Sequence, residues 1–542
     1  MIASRVAPWA LAILAAVGLP TTACTFLVNH DMAQCQTDPD CTDRGTAFRG
    51  TTCGPRNTCI PLEGYCATNS ECISRGGSEA YVCKKTENPS GNRCVGLLSP
   101  ECPKLLADPG DIANDDAIVL GSMWMPSWSP ILRGGENALD LARQDFKRAQ
   151  GGIPQVGGKA RPLVVVACDV PIARQETHKN ATDHLVEIGV PVMFGPLTSD
   201  WLAYALNQTL PKGIVVLSPD STPSDFTGGT AAGLFFTNGL PTGSIPRFDL
   251  LVGVHETLLR AAAKTGDIRV ALVTTGLASD VQVARDFFKN VQFNGKSAAN
   301  NGANYLEVNF GDLSKVSTPG ESVEFARAVT AIQTFKPDIV ACPASGCEKL
   351  VAELEKTLHP RYLFSSILAN NAVAGIFDKQ PDGRQRVLGI RPGRPGNDER
   401  VRVFNNRFSA TFPDITEPGL AAQMYDLFYF AAYAASSLGS TPLTGSAIGQ
   451  AILTRFQSGG KAASTAPDSI LGAVQALRSG SNIALDGTQT TGVFQANGTL
   501  AILNLTVWCF TESTTVPVRV RDAGLSFQSD LGGGFQGALN CF

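Results

Sequence analysis

Val190-Pro-Val-Met-Phe-Gly-Pro-Leu-Thr-Ser-Asp200 reads as a short apolar strand, 190–194, that stops at Gly195-Pro196 and runs straight into a helix over 199–209. Gly and Pro end the strand, and the hydroxyls behind them open the helix. The next strand is 213–217. Upstream, 118–122 and 162–167 are strands of the same kind, the second centred on Leu163-Val-Val-Val166. Between them, 136–150 sets Ala138, Leu141, Ala142 and Phe146 on one helical face, and 174–188 is helical. The alternation resumes with strands at 269–274, 305–309 and 338–342 and helices at 280–290 and 321–335. Short apolar strands alternating with helices predict an α/β fold with parallel sheets covered on both faces. Two such runs predict two lobes.

The chain has 542 residues, more than one core can hold, and 44% of them are hydrophobic. Its formal net charge of −4, with no basic run interleaved with aromatics, argues against nucleic acid as a partner. Fifteen residues are cysteine, ten of them between Cys24 and Cys102. No C-x-x-C pair occurs and the five histidines are scattered, so disulfides in an oxidising compartment are expected and a metal is not.

Residues 25–104 form an island poor in aliphatics and built of two similar units. Cys35-x5-Cys41-x11-Cys53-x5-Cys59 is followed by Cys66-x5-Cys72-x10-Cys83-x10-Cys94. Each unit is too small for a large core, so its cysteines must staple it, with three pairings open within each. Outside the repeats and Cys24, six cysteines remain. Cys342 with Cys347 and Cys509 with Cys541 are near in sequence, which leaves Cys102 with Cys168 to tie the module to the main domain.

The start of the chain has one Arg in residues 1–5 and an apolar core at 7–19, too short for a membrane span of about 20 residues. Leu19-Pro-Thr-Thr-Ala-Cys24 resembles the lipobox of bacterial lipoproteins, with Thr21 where an aliphatic residue is preferred. The resemblance implies a signal peptide over 1–23, lipidation at Cys24 and an exported protein held in the periplasm or cell envelope by its lipid. An ordinary signal peptide cut near Ala23 is the alternative. Thr25 in place of an Asp favours the outer membrane.

Ligands of open parallel sheets lie at the carboxyl ends of strands. Three loops there stand out: Met123-Trp-Met-Pro-Ser-Trp-Ser129, Gly195–Asp200 and Ser218-Pro-Asp-Ser-Thr222. Trp124, Ser127, Trp128, Thr198, Ser199, Ser221 and Thr222 are therefore candidate ligand-binding residues. Hydroxyls and N–H groups at a helix start suit an anionic group, and the same residues serve equally as caps and turn formers.

Over residues 116–510 the order of motifs resembles the bacterial periplasmic-binding family that receives branched-chain amino acids, amides and related solutes. The resemblance lies in Ile118-Val-Leu-Gly…Pro126…Gly134-Gly-Glu-Asn-Ala, Gly195-Pro-Leu-Thr-Ser199 with Val216-Leu-Ser-Pro-Asp-Ser-Thr222, Ala421-Ala-Gln-Met-Tyr-Asp426, and Leu485-Asp-Gly487…Asn497-Gly498. It implies two lobes joined by three crossovers, lobe one at 116–241 with 396–478 and lobe two at 242–395 with 479–542, preceded by the cysteine-rich module at 24–104. It also implies that Ser199, Asp220 and Thr222 hold the ligand's carboxylate and amine, and it adds Tyr425 and Ser279 to the candidates. Ser279 stands where the family often has an aromatic, and Asp220 replaces a small residue.

The function implied is capture of a small polar ligand for an ABC-type uptake transporter, without catalysis or cofactor. The alternative is a ligand sensor or envelope protein whose cysteine-rich module binds a partner. Gly532–Gly537 matches G-x-G-x-x-G but has no following helix. His178 and His184 are expected at the surface, Asp111, Asp115 and Asp116 in a solvated linker, and Phe428–Tyr433 in the core.

Overall fold

Both cysteine repeats build the same frame, a short helix bolted to a hairpin. The computed structural model describes residues 33–541 apart from 46–47, 49, 62–63, 78–79, 87–90, 128–129, 156, 158, 172–174, 197–198, 220–230, 232, 240–246, 277, 312–322, 344–345, 416–419, 512–518, 530 and 532–533. The expected leader and Cys24 lie outside the described residues. In repeat one, α1 (Asp38–Thr42) precedes β1 (Thr51–Cys53) and β2 (Cys59–Pro61), with Thr52 opposite Ile60. In repeat two, α2 (Asn69–Gly76) precedes β3 (Tyr81–Lys84) and β4 (Arg93–Gly96), with Val82 opposite Val95. Cys35 pairs with Cys53, Cys41 with Cys59, Cys66 with Cys83 and Cys72 with Cys94. Both repeats thus use the first-to-third, second-to-fourth pattern. The Thr-x-x-acid sequences explain the helix starts: Asp40 accepts from Thr37 N at 2.8 Å, and Thr68 Oγ1 accepts from Glu71 N at 3.2 Å. Repeat one, through Tyr65, forms one compact unit together with Thr86–Gly91, whereas Cys66–Lys85 and Asn92–Phe542 form the other.

In that larger unit, β5 (Lys104–Leu106) leads to β6 (Ile118–Trp124), α3 (Pro130–Gln150), β7 (Leu163–Asp169), α4 (Gln175–Ile188), β8 (Val192–Phe194), α5 (Ser199–Thr209), β9 (Val215–Ser218) and β10 (Phe235–Thr237). The strands form one sheet in the order β10-β9-β8-β6-β7-β5, parallel except for β5, which runs against β7. Helix α3 begins six residues ahead of the expected 136. Gly134 and Gly135 are no obstacle there because the Trp124 ring lies on Gly135, where a Cβ would stand 2.3 Å from it.

Repeat two is part of this lobe. Val82, Val95 and Leu97 continue its apolar core, and the Cys102–Cys168 bond fastens the strand that follows. Asn69 is buried; its N donates to Asp115 Oδ1 at 2.6 Å and its Nδ2 to Ile112 O at 2.8 Å and Asn114 O at 2.9 Å. In the segment expected as a solvated linker, Asp115 and Asp116 are exposed as expected, though Asp115 also takes Asn69 N. Asp111 is instead buried, because its carboxylate pairs with Arg143 and Lys147 and accepts from Asp108 N at 3.0 Å.

The second half runs α6 (Arg247–Ala261), β11 (Val270–Thr274), α7 (Ala278–Asn290), the hairpin β12 (Gln292–Phe293) and β13 (Lys296–Ser297), β14 (Tyr305–Asn309), α8 (Val323–Phe335), β15 (Ile339–Cys342), α9 (Cys347–Leu354), β16 (Arg361–Phe364), α10 (Asn371–Ile376), α11 (Pro381–Arg384) and β17 (Val387–Pro392). After it come α12 (Glu399–Thr411), α13 (Ala421–Ser437), α14 (Gly445–Arg455), β18 (Phe456–Ser464), α15 (Ile470–Arg478), β19 (Ile483–Asp486), β20 (Thr491–Phe494) and β21 (Leu500–Ile502). The chain closes with β22 (Asn504–Phe510), β23 (Val520–Gln528) and β24 (Gln536–Gly537).

The second sheet has the order β14-β11-β15-β16-β17-β22-β23-β24, parallel through β17 and antiparallel beyond it. Its strands alternate between two cores, as a sheet buried on both faces must. Val270, Leu272, Ile339 and Ala341 face one side and Ala271, Val273, Val340 and Cys342 the other. Cys342 pairs with Cys347 at the start of α9, and Cys509 with Cys541.

Helices α13, α14 and α15 return to the first core, where every residue of α13 from Ala421 to Ser436 is buried, Phe428–Tyr433 among them. The final return to lobe two falls between Leu500 and Leu503, later than residue 478. The reason is pairing: β19 lies parallel to β18, which turns Ile483 and Leu485 into the first core.

Candidate functional site

The tips of β6 and β7 are tied together at the edge of lobe one. Val170 N donates to Trp124 O at 2.8 Å, and Ser127 Oγ donates to Asp169 Oδ1 at 2.9 Å. Asp169, which the sequence reading missed, presents a carboxylate there because β7 runs on past the expected 167. Its own N donates to Glu101 O at 2.9 Å, so the strand after repeat two reaches the same rim. Asn180 and Ser99 donate to the Glu101 carboxylate and hold it below the usual range, against a smaller opposing effect of burial. At the next tips, Ser218 Oγ donates to Pro196 O at 3.1 Å and Gly239 N to Thr237 Oγ1 at 3.1 Å.

In lobe two the tip of β11 is fixed by Asp280, whose Oδ2 accepts from Thr275 N at 3.0 Å and from Thr275 Oγ1. Phe310 N donates to Thr274 O, which holds the tip of β14 beside it. Helices α5 and α7 approach each other across the two lobes. Each starts a few residues behind a strand tip, α5 after β8 and α7 after β11, and the N–H groups of a first turn have no partner within their helix.

The candidates divide into three groups. Trp128, Thr198, Asp220, Ser221 and Thr222 lie outside the described residues. Ser199 and Ser279 are described as backbone only, in the first turns of α5 and α7. Of the rest, Ser127 is exposed at the rim, whereas Trp124 and Tyr425 are buried inside lobe one. Trp124 Nε1 donates to Leu132 O. Tyr425 OH donates to Asp145 Oδ2 at 2.6 Å and accepts from Arg407 at 2.9 Å. Both polar atoms are satisfied by the core, which removes these two residues from the rim. His178 is also buried, not at the surface: its ring stacks on Trp201 at 4.4 Å, and burial lowers its pKa to about 4.

The crossings meet in a polar knot. Asn238 Nδ2 donates to Gln423 O at 3.0 Å, and Thr237 N donates to Gly498 O at 2.9 Å. Gly393 N donates to Asn504 O at 2.7 Å, and Arg394 N to Gln489 Oε1 at 2.6 Å. The Arg394 guanidinium reaches Asp486, Asp398 and Thr491. Asp398 caps α12 and takes Arg400 at 2.6 Å. Although burial pushes its carboxyl up, the Arg400 bonds and the nearby Arg394 charge outweigh this and bring it down to about 2. Asp426, fully buried, binds the 488–490 turn that carries Gln489. No sequence motif announces this knot, because its members come from stretches far apart in the chain, 237–238, 393–400, 423–426 and 486–504.

No family model matches the sequence, and no curated protein is similar to it. Solved structures are similar. They include the branched-chain amino acid transporter substrate-binding protein LivJ of Streptococcus pneumoniae in complex with isoleucine, with TM-score 0.51 and 16% identity over 75% of this chain and 99% of that one. The leucine-binding protein LivK of Thermotoga maritima gives TM-score 0.53 and 14% identity over 75% and 98%. An ABC-transporter solute-binding protein of R. palustris in complex with benzoate gives 0.51 and 14% over 78% and 97%. The fold is that of type I periplasmic-binding proteins: two doubly wound lobes joined by three crossings, here preceded by a disulfide-rich module.

Proposed function

We propose that the chain is an extracytoplasmic solute-binding protein that captures a small polar ligand between its lobes and delivers it to an ABC-type uptake transporter. The observation that supports this reading is the pairing of two largely parallel sheets, joined by three crossings, with α5 of lobe one in contact with α7 of lobe two. Such a hinged pair converts contacts made only in the closed state into ligand affinity. It is a binding protein, not an enzyme.

The ligands named for similar structures, isoleucine, leucine and benzoate, set the chemical range to be tried. Asp169, held by Ser127 at the rim, suits a ligand with an ammonium or other donor group. Ser199, Asp220, Thr222 and Ser279 remain the residues proposed to complete the site. Export with a lipid at Cys24 is part of the same proposal, as is residence in the cell envelope.

A thermal-shift screen of the mature chain against amino acids, amides, benzoate and fatty acids tests the reading. One compound is expected to raise Tm by several degrees and to close the lobes in small-angle scattering. Asp169→Asn is expected to weaken that compound about tenfold if it carries an amine, the cost of one charged hydrogen bond. A chain that no compound in the set stabilises would not be a receptor for these solutes.

A further inference from the structure

The hairpins of the two cysteine repeats share one register: Cys53 opposes Cys59 as Cys83 opposes Cys94, and Thr52 opposes Ile60 as Val82 opposes Val95. Their helix starts correspond too. Asp38 Oδ1 accepts from Cys53 N at 2.9 Å, and Asn69 Oδ1 accepts from Cys83 N at 2.8 Å. Asp38 is thus the counterpart of Asn69, and Ile60 the counterpart of Val95.

Repeat two shows what this face is for. Val82 and Val95 enter the core of lobe one, and Asn69 donates from N and Nδ2 to the 112–115 turn. Val95 is 8% exposed in consequence. On repeat one the corresponding residues lie at the surface: Ile60 is 41% exposed and Asp38 is exposed. Ile60 is thus an apolar side chain left open at the position that repeat two buries, on a frame held by two disulfides. The chemistry of the face is inverted at one point. Where Asn69 offers an NH2 group to carbonyl oxygens, Asp38 has an exposed carboxylate, whose Oδ1 accepts from Cys53 N and Thr52 Oγ1 and whose charge favours a cation.

We propose that the Asp38–Thr52–Ile60 face of repeat one is an interaction surface for a protein partner presenting an apolar patch bordered by a Lys or Arg side chain. The face docks as repeat two docks, the hairpin pair against the patch and the carboxylate against the cation. The inference is independent of the ligand reading and stands or falls without it.

The test uses the full mature chain with a photo-crosslinking benzoylphenylalanine at position 60, made in its own cells, and a control label at Val323, which is 69% exposed. The expected result is an adduct from position 60, absent from 323, to one other protein through a peptide bearing apolar residues beside Lys or Arg. That protein, purified, is expected to bind at least tenfold more weakly to Ile60→Asp and Asp38→Lys, and more weakly as salt rises. Asp38→Asn keeps the fold, since Asn69 makes the same bond in repeat two, and is expected to weaken binding at least threefold. Intact mass after proteolysis, with both disulfides of repeat one retained, confirms that each variant is folded. No adduct, an adduct only to a second copy of this chain, or binding indifferent to Asp38→Asn and Asp38→Lys overturns the proposal.

Discussion

Asp426 takes five hydrogen bonds on two oxygens, from Thr465 Oγ1, Thr488 N, Gln489 N, Thr490 N and Thr490 Oγ1, at 2.8–3.0 Å. Its neighbour Tyr425 faces the other way, into Asp145 and Tyr429. Helical geometry sends successive residues to different sides, so the motif Tyr425-Asp426 was legible while the division of labour within it was not. The motif marked a ligand residue; the structure makes one member a core hydroxyl and the other the anchor of the turn beside the crossings. Asp426→Ala removes the acceptor shared by three backbone N–H groups and two hydroxyls, of which Thr488 N keeps a second acceptor in Thr465 Oγ1 at 3.0 Å. Its expected effect is a loss of about 3 kcal/mol in denaturant unfolding, in the range for breaking a buried charged network. A loss below about 0.5 kcal/mol would mean that the turn finds other acceptors. At the rim, by contrast, Asp169 was missed because a strand's last residue depends on how far its neighbour pairs, and β6 extends to Trp124 opposite it.

At the scale of elements, alternation and periodicity located the strands β6–β9, β11, β14 and β15 and the helices α4, α5, α7 and α8 to within a few residues, because buried sheets demand continuous apolar runs and their helices demand one apolar face, while β10, α6 and the strands from β16 onward were not read this way. Helix α3 was the exception, its first turns disguised by Gly134 and Gly135, the second of which the Trp124 ring requires. The docking of repeat two was hidden for another reason. Val82, Val95 and Asn69 look like ordinary residues of a small stapled module, and only their contacts show them to be part of a larger core. Val95→Asp would place a carboxylate among Leu97, Ile112 and Ile118 in that core. The repeat is expected to lift from its seat while Cys102–Cys168 keeps it attached, with backbone hydrogen exchange rising at 110–118 and around Asn69. Unchanged exchange there would show that the seat does not depend on this contact.

Across the whole molecule, two imidazoles among the described residues, His178 and His255, are buried with lowered pKa values, one in each lobe. Burial brings His178 to about 4; burial and then the Arg361 charge bring His255 to about 3. Unfolded, both take up a proton near 6.5, so the unfolded chain binds more protons as pH falls below that value and stability declines with it. Above about 6.5 the effect vanishes. For His178 alone the loss reaches up to about 3 kcal/mol by pH 4. Denaturant unfolding at pH 7 and pH 4.5 is expected to show this decline in the wild type and a flatter one in His178→Gln with His255→Gln; an equal decline in both would assign acid sensitivity to other groups. Sequence alone determined the two-lobe α/β plan and the repeat structure of the module, because periodicity and cysteine spacing are local properties that survive without coordinates. Tertiary structure alone decided which disulfides close within each repeat, where the last crossing falls, and that one repeat is built into lobe one while its twin keeps an exposed face. Those outcomes depend on pairings between residues far apart in the chain, and no local pattern encodes a partner at that distance.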